Sequence, residues 1–133
     1  MQIPKEVRVG SIDYEVVEVG ETPLVLGGQQ CYGMVDFEQS KIFLDTTLTS
    51  RQRLEQTFLH EIVHSLLYHR SLKEEAQNEV LVDEIAVALH QLIKDNPVLF
   101  LPDELYSVLE EVEEEIAEVV EEAEEAEEGE DKK

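Results

Sequence analysis

The chain is predicted to fold as a small α+β domain followed by an acidic helix, and three observations carry that expectation. Short β-rich runs separated by turn residues fill the first 45 residues. Two long helical patterns without internal Gly or Pro follow, over 51–69 and 76–95. The net charge of −22 is then concentrated at the end, because residues 110–133 hold fourteen acidic side chains against two lysines. The expected organisation is a domain over 1–101 and an acidic helical extension over 102–133.

Val7 and Val9, then Ile12, Tyr14, Val16, Val17 and Val19, form two β-rich runs with Gly10-Ser11 as the turn between them. Gly27-Gly28 marks a loop. Tyr32 to Phe37 and Lys41 to Leu44 read as a second antiparallel hairpin around Glu38-Gln39-Ser40. In the first helical pattern Leu54, Phe58, Leu59, Ile62, Val63 and Leu66 recur at three- and four-residue spacing, with Thr49 or Ser50 as N-cap. Lys73-Glu74-Glu75 reads as a solvated helix start. The second pattern places Val82, Ile85, Ala86, Leu89, Leu92 and Ile93 on one face and ends before Pro97. Glu79, Asp83, Ala86 and His90 form a stripe bordering that face.

The chemistry concentrates in His60-Glu61-Ile62-Val63-His64. Two histidines four apart project from one helix face, and imidazole nitrogens suit Zn²⁺. Both lie at the margin of the apolar stripe, anchored by the core yet open to a cleft. Glu61 is badly placed to join them as a ligand and well placed to take a proton from an activated water. A zinc site of this kind needs a third protein ligand. Asp83 and Glu79 compete for that role. His90 is a further candidate, although a lone imidazole at a helix margin is more often structural.

Asn78-Glu79-Val80-Leu81-Val82-Asp83 resembles the Asn-Glu-x-x-x-Asp segment of thermolysin-like zinc peptidases. That resemblance implies Glu79 as ligand and Asp83 as the carboxylate orienting His60. Ile42-Phe43-Leu44-Asp45, Thr57-Phe58-Leu59-His60-Glu61-Ile62-Val63-His64 and Val82-Asp83-Glu84-Ile85-Ala86 resemble the ImmA/IrrE-type family of small metallopeptidases. The segment Gln91 to Pro97 is similar to short phage-encoded members, and the likeness spans roughly residues 5–100. This second resemblance favours Asp83 as the third ligand. The chain departs from the family pattern there, since glutamate is usual, and at Val87, where Asn is common. What the likeness implies is a zincin-like fold and a zinc endopeptidase acting on a cytoplasmic protein, such as a phage-type repressor or regulator. In zinc peptidases of this shape the last strand before the motif helix, here Ile42 to Leu44, often lies at a sheet edge. A substrate peptide can add there as an extra strand.

Composition bounds the partners. Cys31 is the one cysteine, which excludes an intramolecular disulfide, and it reads as incidental. Met1-Gln2-Ile3-Pro4-Lys5 lacks signal-peptide character, and no apolar run reaches membrane-spanning length, so a cytoplasmic setting is expected. The first 109 residues carry about −10, which argues against direct nucleic-acid binding through a basic surface. After Pro102, the residues Leu105, Leu109, Val112, Ile116, Val119 and Ala123 step by four and three as a coiled-coil-like seam. The seam is expected to pack on the domain, to pair with another helix or to self-associate, and to fray beyond Ala123. The acidic tail reads either as a solubilising extension or as functional, an arm for a basic protein or a decoy that imitates the phosphate charge of DNA. Two functions therefore stand: a zinc peptidase using Glu61, or a non-catalytic zinc-domain interaction protein acting through its tail. Tyr68, His69, His90 and Tyr106 are oxyanion donors by residue type alone.

Overall fold

The computed structural model describes residues 1–21, 24–47 and 50–131. It is an α+β structure in which strands occupy the N-terminal part and helices the rest. Two units are distinguished, Met1–Asp95 and the segment from Asn96 onward.

In the first unit β1 (Glu6–Val9) and β2 (Ile12–Val19) form an antiparallel hairpin with Val7 opposite Tyr14. Gly10 turns the corner at φ +62°, a conformation that favours glycine. β3 (Leu24–Leu26) and β4 (Gln29–Cys31) form a separate two-stranded hairpin. Its two-residue loop is Gly27-Gly28, both at positive φ as such a turn requires. β5 (Gly33–Asp36) and β6 (Lys41–Asp45) form the antiparallel hairpin expected around Glu38 to Ser40.

The main sheet has the order β1-β2-β6-β5, with β2 and β6 parallel and Val16 opposite Ile42. This corrects one expectation. The strand preceding the motif helix, β6, is interior, and the edge beside it is β5. The reason is apolarity: Ile42 and Leu44 are fully buried, and an interior strand is the one that can cover such residues from both sides. Edge strand β5 is shorter and starts on a glycine.

α1 (Arg51–His69) follows, with Ser50 as its N-cap accepting from the Arg53 amide; Thr49 lies outside the described residues. Leu54 and Phe58 pack into the sheet with Val9, Tyr14, Ile42 and Leu44. Leu59 and Val63 face the other way, against Val82 and Ala86. The helix therefore stands between two layers, which explains its nearly continuous apolar pattern. It ends on a left-handed Ser71, with the Leu72 amide donating to the Leu67 carbonyl and the Ser71 amide to Tyr68. That bond pair is the reverse turn that commonly closes helices, with serine where glycine is usual.

The second helical pattern is interrupted where the sequence showed no break. α2 (Lys73–Gln77) stops, and α3 (Glu79–Asp95) restarts behind Asn78. The Asn78 side chain accepts from the Leu81 amide, a capping bond that competes with continued helix. In the second unit α4 (Asp103–Asp131) begins directly after Pro102. It continues past Ala123 to Asp131 instead of ending there, in keeping with the good helix propensity of Glu and Ala. No helix among the described residues is long and apolar enough to cross a membrane.

Candidate metal centre

His60 and His64 project from α1 one turn apart, and each has its Nδ1 engaged. The His64 Nδ1 lies 2.6 Å from the Ala76 carbonyl, and the His60 Nδ1 lies 3.2 Å from Asp83 Oδ1. The break at Asn78 supports the first bond, because a carbonyl in the last turn of α2 lacks an onward helical partner. With Nδ1–H donated in both rings, the two Nε2 atoms carry lone pairs. They face each other at 3.1 Å. Glu79 completes the group, with Oε2 at 3.0 Å from His60 Nε2 and Oε1 at 3.2 Å from His64 Nε2.

Three donors converging in this way repel unless a proton or cation sits among them. Tetrahedral Zn²⁺ with bonds of 2.0–2.1 Å places its ligands about 3.3 Å apart, close to the spacings found here. His60, His64 and Glu79 are a group of side chains able to ligate a metal, with donor atoms that lie within 4.8 Å of one another. The donor set fits zinc chemically, two imidazoles and a carboxylate with each imidazole held through its other nitrogen.

Of the two carboxylates weighed as third ligand, Glu79 is the one that faces both Nε2 atoms. Asp83 is at the site, but on the far nitrogen of His60. Its Cα is one helical turn, about 6 Å, beyond Glu79 along α3, so it reaches Nδ1 and Glu79 reaches Nε2. His90 is elsewhere. Buried in the helix interface, its Nε2 lies 2.7 Å from Glu55 Oε2.

Glu61 turns from the same helix towards β5 and is buried. Burial pushes its carboxyl up to about 8; the nearby Glu79 charge adds to this, and the Val35 backbone N–H opposes it. Tight approach of β5 makes that burial possible. A Cβ at Gly33 would meet Thr57 Cγ2 at 2.7 Å and both Cγ and Oε1 of Glu61 at 3.1 Å. Gly33 is thus a site-shaping residue that the sequence reading passed over. A glycine opening a strand run was its available signal.

The donors open into a cleft of about 840 Å³, lined also by β4, β5 and α1 residues including Arg53, Gln56 and Thr57. Cys31 belongs to this lining, and was not expected at the site. Burial, then the Glu61 and Asp45 charges, push its thiol pKa up, so it is a poor nucleophile. Of the oxyanion donors considered by residue type, those in α1, Tyr68 and His69, are engaged elsewhere in the first unit. Tyr68 stacks on Phe37 at 3.9 Å, His69 pairs with the Tyr14 hydroxyl at 2.6 Å, and Tyr106 belongs to the second unit.

The outer edge of β5 borders the same cleft. The Asp45 amide donates to the Tyr32 carbonyl, which sets the hydrogen-bonded parity of the β5–β6 ladder. By that parity the Gly33 and Val35 peptide groups turn away from β6. Comparison of the chain with protein-family models found no match, and searches of characterised proteins and of solved structures likewise matched nothing.

Proposed function

We propose that this chain is a zincin-like zinc metallopeptidase of the ImmA/IrrE type, hydrolysing a peptide bond in an extended segment of a protein substrate. The observation that carries this reading is the convergence of His60, His64 and Glu79 at ligand spacing, with Glu61 lining the same cleft. Zinc held by the three would act as a Lewis acid for water and for the scissile carbonyl. Glu61 accepts the proton of the attacking water and passes it to the leaving amine. The Val35 N–H holds one end of its carboxyl in place. Asp83 and the Ala76 carbonyl keep His60 and His64 in the Nδ1–H tautomer with their Nε2 atoms aimed inward. With the Val35 N–H taken by Glu61, the Gly33 peptide groups and the Val35 carbonyl are what the outer edge of β5 offers a substrate lying alongside as an added strand.

The reading places the enzyme in the cytoplasm of the cell that makes it, with a repressor-like regulator as the kind of substrate. Zinc content of the purified chain and cleavage of a peptide library, each with and without Glu61→Gln, test it. The expected result is about one zinc per chain in both forms, with cleavage reduced about 10²–10⁴-fold in the variant. A chain that holds no zinc, or cleavage indifferent to Glu61→Gln, overturns the catalytic reading. Zinc retained with no cleavage by either form would favour the interaction reading instead.

A further inference from the structure

We propose that α4 is a docking helix for a basic amphipathic helix of a partner protein, seated along Leu105, Leu109, Val112, Ile116 and Val119. These residues step by four, three, four and three, the spacing of a two-helix seam. Four of them are exposed; Ile116 retains 58 % and Val119 64 % of its accessible surface. An apolar stripe of five side chains on a strongly acidic helix is a surface that association would bury.

Charge decides the occupant. From Asp103 to Asp131 the helix carries sixteen acidic residues and no Lys, Arg or His. Among the described residues, none of these acids takes part in an ion pair. With Leu109 and Ile116 at a positions, Glu113, Val120 and Glu127 fall at e, and Glu115 and Glu122 at g. A second copy in parallel register would set Glu122 against Glu127 on both sides of the seam. Its whole length would also bring sixteen further negative charges alongside. The first 95 residues carry eight Lys and Arg against sixteen Asp and Glu, so the chain's own domain is no better matched. Nucleic acid and anionic membranes are repelled for the same reason. A helix with Lys or Arg at its e and g positions satisfies both the seam and its flanks. Its cations gain most beside residues 113–127, towards the negative end of the α4 macrodipole, where the last turn contains no base. The apolar start of α4, with Leu105, Tyr106 and Val108 exposed, asks for an uncharged end on the partner.

The test uses the whole chain and a synthetic peptide of about four heptads, with Ile at a, Leu at d and Lys at e and g. Its twin carries Glu at e and g. Titration calorimetry is expected to show the Lys peptide binding at least about tenfold more tightly than the twin, and weakening as salt rises. Ile116→Gln with Val119→Gln should reduce that affinity about tenfold or more, through lost apolar burial. Because both side chains are exposed, helicity by circular dichroism and zinc content should be unchanged. Three results each overturn the proposal. One is absence of binding, or equal binding of the two peptides. Another is undiminished binding by the double variant, which would mark simple polyelectrolyte attraction. The third is self-association of the chain that the double variant abolishes, which would make a second copy the occupant. None of these results bears on the metal centre, so the two readings stand or fall separately.

Discussion

The α1–α3 helix pair holds a carboxylate–imidazole cluster at each end, and the two clusters have opposite characters. Glu79 and Asp83 meet His60 and His64, whereas His90 meets Glu55, so the helices run antiparallel with one cluster near each end of the contact. At the Glu55 end both partners are buried to 4 % exposure. The Glu55 carboxylate has a donor for each oxygen: His90 at 2.7 Å on one, and the Met1 ammonium and Arg51 Nε, each at 3.4 Å, on the other. At the other end Glu79 and Asp83 keep 69 % and 64 % side-chain exposure, and among the described residues no Lys or Arg pairs with them. Similar side chains thus serve two purposes. A cluster that is buried and balanced holds helices together, and one that is open with its acceptors in excess is made to receive something.

The largest expected effect lies at the open end and separates a ligand from its support. Glu79→Ala removes a donor atom and should abolish stoichiometric zinc retention, measured by metal analysis after dialysis. Asp83→Ala leaves all three donors and frees only the His60 Nδ1, so zinc affinity should fall about 10–100-fold. Equal losses in the two variants would mean that both carboxylates ligate. Either substitution should leave the thermal transition of chelated protein nearly unchanged, since both side chains are largely exposed.

At the closed end the expectation reverses. Glu55→Ala strands buried His90 and should cost about 3–5 kcal/mol of unfolding free energy, as losing one member of a buried pair does. Urea denaturation of chelated protein measures this. Replacing the pair together, Glu55→Leu with His90→Leu, should restore most of the loss. If the single variant costs nothing, the Glu55–His90 end is not a buried, balanced pair that holds the helices together.

How much of this was legible in the sequence follows the range of each interaction. The periodicity of α1, the Ser50 cap and the His60-Glu61-x-x-His64 spacing are local, and each could be read directly. The stripe of Glu79, Asp83, Ala86 and His90 was also correctly placed, and all of it faces α1. What a one-dimensional stripe leaves open is its axial offset against the neighbouring helix. That offset decides whether Glu79 or Asp83 reaches the imidazole Nε2 atoms, and it sends His90 to Glu55, 35 residues away in sequence. The parallel pairing of β2 with β6 is likewise non-local, and it made β5 the edge strand. Val80 and Leu81 disguised the helix break at Asn78, because apolar residues there continue the helical pattern by eye.

A third contrast concerns protons. The Glu55 carboxyl is held below its usual range: burial alone would raise it, but His90, the chain's ammonium and their charges outweigh that. Glu61 goes the other way, from 4.5 to about 8, because burial and Glu79 act together. A group that binds its proton more tightly when folded makes the folded state lose stability as pH rises between the two values. Chelated protein should therefore become less stable from about pH 4.5 to 8 by up to a few kcal/mol. Glu61→Gln, which cannot ionise, should remove that slope, being more stable than wild type at pH 8 and similar at pH 4. Zinc should flatten the wild-type slope as well, since a nearby cation favours the ionised carboxylate. Urea melts across pH, with and without zinc, measure all three.

The smallest effect tests the wall against which Glu61 is buried. Gly33→Ala inserts a methyl group 2.7 Å from Thr57 Cγ2 and 3.1 Å from Glu61, closer than side chains tolerate. Either β5 moves outward or the two α1 side chains shift, and the cost should be about 1–3 kcal/mol. Displacing the strand opens Glu61 to water and draws Val35 N–H away from its carboxyl. The first change lowers the Glu61 pKa and the second raises it, and desolvation is the larger cause. The pH slope of chelated Gly33→Ala protein should therefore be shallower than that of wild type. Zinc affinity should hardly change, because His60, His64 and Glu79 lie on α1 and α3 and not on the displaced strand. Pairing Gly33→Ala with Thr57→Ser, which removes the closest methyl, should recover part of the stability. Failure of that rescue would place the strain elsewhere, and Gly33 would then not be what allows β5 to cover the carboxyl.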